Sequence, residues 1–118
     1  MSSTKLPDSN PKSKYGIVKD PLHLIPPEGL VHEAGAFRQG AEKYGAYNWR
    51  QNSVAASVYY AAALRHLTQW WEGQDLDPES GTHHLGHARA CLAIVLDAGK
   101  WDKLIDDRPL PDRGPVLS

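Results

Sequence analysis

A run of 20 residues after Ser53, VAASVYYAAALRHLTQWWEG, constrains the fold of this chain more than any other segment. Ser53 is a favourable N-cap and Gly73 a favourable terminator, so the run predicts a long helix, helix two. Alanines at positions 55, 56, 61, 62 and 63 should allow neighbouring helices to approach closely. Trp70 and Trp71 each bring a large apolar area near the end of the run, and we expect that area to be buried.

The sequence before this run predicts helix one. Pro26 and Pro27 suit a first helical turn, and Glu28 lies where the helix dipole favours negative charge. The helix should end near Gly45. Its apolar side chains recur at spacings of four, three and four, which is the stripe of an amphipathic helix, and they are Leu30, Ala34, Phe37 and Ala41.

Helix three is predicted over roughly His83 to Lys100. Residues at helical spacing that we expect to be buried are Leu85, Ala88, Leu92 and Val95 or Leu96. Its N-cap could be Asp77, which precedes a proline, or Ser80 or Thr82.

The fold class predicted by these patterns is all-α, with a three-helix bundle core. The sequence contains no segment of strand periodicity strong enough to imply a sheet, no internal repeat, no Gly-rich phosphate loop and no paired CxxC. In such a bundle a site would lie between facing helices or at a dimer seam.

The 118 residues suffice for one domain. We expect a flexible arm over residues 1–14, a single helical domain over residues 15–105 and a flexible, Pro-rich tail over residues 106–118. An irregular N-terminal strap should pack before helix one through a short apolar set, Ile17, Val18, Leu22, Leu24 and Ile25. Because the core is small, we expect a homo-oligomer to complete it.

Composition excludes several functional classes. A net charge of −1 with a pI near 6.6 offers no general attraction for an extended nucleic-acid duplex. Cys91 is the only cysteine, which excludes an internal disulfide and a cysteine-rich zinc module. The longest weakly polar run, residues 54–64, is shorter than the roughly 20 residues of a membrane-spanning helix. The N-terminal residues lack the apolar run of a secretory signal, so the expected location is the cytoplasm.

Residues 65–87, RHLTQWWEGQDLDPESGTHHLGH, concentrate four of the six histidines and four carboxylates in one corner between helices. Such groups can bind a metal, transfer a proton or hold a polar ligand, and burying them without partners costs a few kcal/mol each. His84 and His87 are three residues apart on one helix face, and His83 with His87 is an equally possible pair. The alternative is that the histidines are exposed, cap helix three or, for His66, pack in the core.

Asp75, Asp77 and Glu79 alternate along the connecting loop, so an extended backbone would direct their carboxylates one way as oxygen ligands. The spacing does not continue into an EF-hand, because the sixth position from Asp75 lacks glycine and the twelfth lacks glutamate. The alternative is an acidic loop that serves only solubility.

A second cluster, Lys43, Tyr44, Asn48 and Trp49, follows helix one and suits a nucleotide. Lys43 could neutralise phosphate, Asn48 could position a base or sugar, and the rings could stack on a base. In the alternative interpretation, Tyr44 and Trp49 seal the end of the bundle. Arg65 could bind phosphate or form a structural ion pair, for example with Glu72.

The succession LIPPEGL, QGAEKYGAYNWR and AALRHLTQWWEGQDLDPESGTHHLGHA resembles the phage-encoded family of dATP/dGTP diphosphohydrolase N-terminal domains, over about residues 22 to 98. The resemblance implies Mg²⁺- or Mn²⁺-dependent hydrolysis of a deoxynucleoside triphosphate to monophosphate and pyrophosphate, as in the all-α MazG-like pyrophosphatases, and a phage or prophage source. The chain lacks the MazG arrangement of paired glutamates on one helix and Glu-x-x-Asp on the next.

On this enzymatic interpretation we expect residues in three roles. Catalytic residues would be Asp77, Glu79, His84 and His87. Substrate-binding residues would be Lys43, Tyr44, Asn48, Trp49, Arg65 and His66. Metal ligands for Mg²⁺ or Mn²⁺ would be Asp77, Glu79 and, more weakly, Glu33.

A different class of function is also compatible with these residues. A phage protein that sequesters a nucleotide or nucleotide messenger needs Arg, Lys, His and aromatic contacts but no metal cage. A purely structural helical adaptor would explain the helices but not the concentration of titratable groups.

Overall fold

The structure, a computed structural model, describes residues 19–112 and contains three α-helices. They are α1 (Pro27–Tyr44), α2 (Ala56–Trp71) and α3 (His84–Lys100). Two short 3₁₀ helices, Leu22–Leu24 and Asn48–Arg50, lie in the connections. The predicted all-α, three-helix core is therefore confirmed, while the expected arm over residues 1–14 lies outside the described residues.

Helix α1 begins and ends where its sequence predicts. Pro27 occupies the first helical position with Glu28 in the first turn, and Gly45 is the C-cap at a φ of 90°. Only glycine adopts such a backbone without strain, so the chain can turn directly into the Asn48–Arg50 segment.

Helix α2 begins two residues later than predicted, and Ser53 is not its N-cap. Val54 and Ala55 form strand β1, which pairs in parallel with strand β2, Leu104–Ile105. The N-terminus of α2 is held by Asp107, whose Oδ1 accepts the Ser57 backbone N–H at 2.8 Å while the other oxygen accepts the Ser57 hydroxyl. These hydrogen bonds lower the pKa of Asp107. Asp107, which lies in the predicted tail, is thus bonded to the start of α2, and residues 113–118 lie outside the described range.

Helix α3 begins at His84, and its N-cap is His83, whose Nδ1 accepts the Leu85 N–H at 3.0 Å. The predicted caps Asp77, Ser80 and Thr82 are wrong because these residues form the turn before the helix. In that turn the Asp77 N–H donates to the Thr82 carbonyl at 2.9 Å, and Leu76 bridges His83 in antiparallel fashion.

The core is made mainly of small residues, because α3 packs against both α1 and α2 at close range. The buried apolar residues of the described chain are Trp49 and six alanines, Ala36, Ala56, Ala63, Ala88, Ala90 and Ala98. At Gly86 the helices approach so closely that a Cβ would lie 2.4 Å from the His32 carbonyl oxygen. Arg89 of α3 also pairs with Glu33 of α1 at 3.0 Å.

Several large apolar side chains predicted to be buried are exposed. Trp71 is 81% exposed and Leu92 and Leu30 are exposed as well, while of the alternatives Val95 and Leu96 the structure half-buries Val95 and leaves Leu96 77% exposed. Helical spacing shows which residues share a face but not whether another element covers that face. The described part of the N-terminal strap is also less buried than predicted, because Leu22 and Leu24 are exposed. Ile17 and Val18 lie outside the described residues. Over residues 19–112, no helix has the length and apolar character needed to span a bilayer.

Asp97 of α3 anchors the connection between α1 and α2. Its carboxylate accepts the Trp49 indole N–H at 2.7 Å and both the Nε and Nη2 groups of Arg50, at 2.7 and 2.8 Å. The Arg50 guanidinium also lies over the rings of Tyr47 and Trp101, at 4.4 and 4.8 Å from their centroids. The hydrogen bonds from Arg50 and Trp49 lower the pKa of Asp97 to about 2.

We predict that Gly86→Ala destabilises the protein, because the new methyl group would displace the α1 backbone at His32. Overpacking of this kind costs about 1–3 kcal/mol, which denaturant unfolding can measure. The matched control is Gly40→Ala, where a Cβ meets no atom within 4 Å and the better helix propensity should add up to about 1 kcal/mol. Equal stabilities of the two variants would contradict the packing described for α1 and α3.

We also predict that Asp97→Asn lowers thermal stability at neutral pH, and that the difference from the wild type narrows in acid. A carboxylate of lowered pKa stabilises the folded state fully above its unfolded pKa of roughly 4 and loses that contribution as pH falls towards about 2. Melting temperatures measured between pH 7 and pH 2 test this. Asp112→Asn removes the same charge from an exposed position and is the control. If the difference in melting temperature between Asp97→Asn and the wild type stays constant with pH, the ionised carboxylate does not have this role.

Candidate active site

The turn between α2 and α3 brings polar side chains from three segments together. Gln74, Asp77 and Ser80 come from the turn, His66 from α2, and His84 and His87 from α3. The turn is fixed by backbone hydrogen bonds, including His84 N–H to the Asp75 carbonyl at 2.8 Å and Gly81 N–H to the Asp77 carbonyl at 2.7 Å. We call these six side chains the histidine cluster.

His84 is the centre of the histidine cluster and the only buried polar side chain among residues 19–112, with 0% of its surface exposed. Its Nε2 lies 2.7 Å from Gln74 Oε1 and its Nδ1 lies 2.9 Å from His66 Nδ1. Because an amide oxygen only accepts, Nε2 carries the hydrogen and donates it. In the tautomer that donates from Nε2, the lone pair of Nδ1 points at His66, which donates to it.

His87 extends the cluster along α3. Its ring stacks on His66 with centroids 4.5 Å apart and planes 15° apart, and its Nε2 lies 2.7 Å from Ser80 Oγ. Asp77 Oδ2 is 3.9 Å from the same nitrogen. Burial lowers the pKa of His87, and burial together with the neighbouring imidazoles lowers the pKa of His66. Both shifts favour the neutral form of the two rings.

The structure separates the carboxylates that the sequence predicted to converge. Asp77 is half-buried in the cluster, but Asp75 and Glu79 are exposed, because the loop turns at Asp77, whose Oδ1 accepts the Glu79 N–H at 2.9 Å. Glu33 is paired with Arg89. The extended acidic loop predicted from the spacing is therefore wrong, and Asp77 alone of these carboxylates reaches the histidines.

The remaining histidines have other partners. His83 caps α3 and contacts the ring of His32, with centroids 4.9 Å apart, while His32 pairs with Glu28. Of the histidine pairings that the sequence leaves open, the structure therefore brings His84 and His87 together with His66. Arg65 is exposed on α2 next to His66.

A cavity of about 650 Å³ lies beside the cluster, between the end of α1, the segment after it and α3. Its lining includes the predicted second cluster and, at one end, His87; the residues that matter here are Lys43, Tyr44, Tyr47, Asn48, Tyr59 and His87. The cavity and the histidine cluster therefore share a wall.

Trp49 is not placed to stack on a base in this cavity. It is buried, packs against Phe37 and Tyr47 with centroids 5.7 and 5.4 Å away, and donates to Asp97. This geometry favours the alternative in which Trp49 seals the bundle end. Tyr44 and Lys43, in contrast, are exposed, with the Lys43 amine 5.8 Å from the Tyr44 ring centroid.

Sequence reasoning missed Gln74 and the role of Ser80 in the cluster. Gln74 follows Gly73 in a polar loop and carries no periodic or motif signal, so only the position of the turn reveals its bond to His84. The sequence predicts Ser80 only as a possible cap, yet its hydroxyl contacts His87.

Comparison with known proteins identifies the family of this chain. Residues 9–108 match the family described as dATP/dGTP diphosphohydrolase, N-terminal. A protein of Salmonella phage PMBT28 named dATP/dGTP diphosphohydrolase is 31% identical over 99 residues, which covers 84% of this chain and 31% of that protein. This chain thus spans about a third of the length of that relative. No solved structure matches this chain. The family match covers most of the sequence, and the chain therefore belongs to the family of dATP/dGTP diphosphohydrolase N-terminal domains.

Proposed function

We propose that this chain binds a purine deoxynucleoside triphosphate and hydrolyses it to the monophosphate and pyrophosphate. The single observation that carries the proposal is the shared wall: His87 belongs both to the histidine cluster and to the lining of the 650 Å³ cavity. A cavity of this size lies within the range of about 300–1,000 Å³ that small-molecule sites occupy. The name of the phage relative and the family supply the nucleotide and the reaction.

The lining of the cavity suits the parts of a nucleotide. Lys43 supplies a cation for phosphate, and Asn48 offers an amide to the base or sugar. The ring of Tyr44 is exposed and can stack on a base. Asp97 also lines the cavity, but the bidentate hydrogen bond from Arg50 neutralises its charge, so that it does not repel a phosphate chain.

The chemistry requires water to attack the α-phosphorus while the bond from that phosphorus to the bridging oxygen breaks and pyrophosphate leaves. In the proposal His87 accepts the proton of the attacking water, because it lines the cavity and its lowered pKa favours the neutral ring. Asp77 Oδ2, 3.9 Å from Nε2, stabilises the imidazolium that results.

The Mg²⁺ ion implied by the family does not fit the residues present. Mg²⁺ prefers an octahedral set of oxygen ligands. Of the three expected ligands, Glu33 is paired with Arg89 and Glu79 is exposed, which leaves only Asp77 beside two imidazoles. No step of the proposed reaction is therefore assigned to Mg²⁺.

Self-association and a cytoplasmic location belong to the same proposal. The exposed apolar side chains of α2 and α3, including Leu64, Leu67, Leu92 and Leu96, support association of two or more copies. The cytoplasm is where nucleoside triphosphates are available.

The test is the release of pyrophosphate from dGTP and dATP by the purified chain in the presence of Mn²⁺, with chromatography of the nucleotide product. We expect deoxynucleoside monophosphate and pyrophosphate in equal amounts. His87→Gln should reduce the rate by roughly 100-fold or more, as expected for loss of a general base. His23→Gln, in the exposed Leu22–Leu24 turn, is the matched control and should retain full activity.

A second outcome distinguishes the sequestering alternative. If the nucleotide raises the melting temperature of the protein but is recovered intact after denaturation, the chain binds without hydrolysis and the catalytic proposal is wrong.

A further inference from the structure

We propose that His66, His84 and Asp77 form a binding site for a divalent transition-metal ion that accepts imidazole ligands. These residues place one ligand atom each within 4.8 Å of one another, and they come from α2, α3 and the turn between them. The proposal extends the proposed function by naming the metal class of the same site, but its test contains no nucleotide, so the two can fail separately.

The two imidazole nitrogens lie within a few tenths of an ångström of the separation that a shared metal ion would require. His66 Nδ1 and His84 Nδ1 are 2.9 Å apart. Neighbouring nitrogen ligands of a tetrahedral Zn²⁺, with bonds of about 2.0–2.1 Å, are separated by about 3.3 Å. An ion could therefore take the place of the single hydrogen that the pair shares, without a large movement of either helix.

Gln74 orients His84 as outer partners orient metal-binding histidines. Ligating imidazoles commonly donate their second N–H to an oxygen acceptor, which fixes the tautomer and the ring orientation. The hydrogen bond from Nε2 to Gln74 Oε1, at 2.7 Å, leaves Nδ1, which contacts His66, as the ligand atom of His84. Complete burial prevents the ring from turning away into solvent.

A hydrogen bond between two histidines would alone explain their contact, but not the third group. Asp77 is half-buried and brings a negative charge beside the imidazoles, although the flanking Asp75 and Glu79 carboxylates are exposed. A carboxylate with two neutral imidazoles is a donor set that binds divalent metals.

The donor set also determines which ions fit. Imidazole suits Ni²⁺, Cu²⁺ and Zn²⁺, and the affinity of a given site generally rises from Mn²⁺ through Co²⁺ and Ni²⁺ to Cu²⁺ and falls again at Zn²⁺. Mg²⁺ prefers oxygen ligands and gives up its water reluctantly. The site should therefore bind Zn²⁺ and Mn²⁺ and discriminate against Mg²⁺.

The test is calorimetric titration of the full chain, stripped with EDTA, with ZnCl₂, MnCl₂ and MgCl₂. We expect one Zn²⁺ per chain, weaker Mn²⁺ binding and at least 100-fold weaker Mg²⁺ binding. His66→Gln and Asp77→Asn, which change half-buried residues, should each lower Zn²⁺ affinity at least tenfold. His23→Gln and Glu42→Gln are matched controls at exposed positions and should not change it.

Two further measurements separate ligation from loss of folding. Gln74→Leu should lower affinity by roughly 10–100-fold, whereas Gln74→Glu, which keeps the acceptor oxygen, should restore it. Electron spin-echo spectra of the Mn²⁺-loaded protein should show coupling to imidazole nitrogen. Unchanged Zn²⁺ affinity in both His66→Gln and Asp77→Asn, comparable affinity for Mg²⁺, or a spectrum without nitrogen coupling would overturn the proposal.

Discussion

The buried imidazole of His84 is the constraint on which the rest of this site depends. A polar ring with no exposed surface requires a partner for each nitrogen, and the structure provides Gln74 on one side and His66 on the other. To supply them, the turn after α2 must place Gln74 against the start of α3, and α2 must present His66 to the same point. The histidine cluster is thus both a packing feature that joins the two helices and a set of donors fixed in orientation.

The small residues of the core determine how close these groups can come. Alanines on all three helices and Gly86 at the contact with His32 let the backbones approach to a distance that larger side chains would prevent. The cost is a core with little apolar volume. This explains why large side chains such as Trp71 and Leu96 lie outside it, and it is the basis for proposing that copies of the chain associate.

Much of the fold could be predicted from local sequence, because helix boundaries depend on nearby residues such as Pro27 and Gly45. The predictions that failed concern contacts between residues far apart in the sequence. Ser53 is a good cap by type, but Asp107, fifty residues beyond Ser57, holds the start of α2. At the site, the crowding of histidines was visible in the sequence, and so were Lys43 and Tyr44. The separation of Glu79 from Asp77 and the contribution of Gln74 depend on how one turn folds, which alternation along the loop does not reveal.

The proposed metal site and the proposed nucleotide site meet at His87, since this residue both stacks on His66 and lines the cavity. The most direct measurement of this arrangement is anomalous diffraction from crystals soaked with Mn²⁺ and a dGTP analogue whose α,β-bridge resists hydrolysis. The account predicts a manganese peak bounded by His66, His84 and Asp77, with the phosphates beside His87 and the base against Tyr44. Manganese bound elsewhere while His66 and His84 keep their mutual hydrogen bond, or an analogue bound outside the cavity, would contradict it.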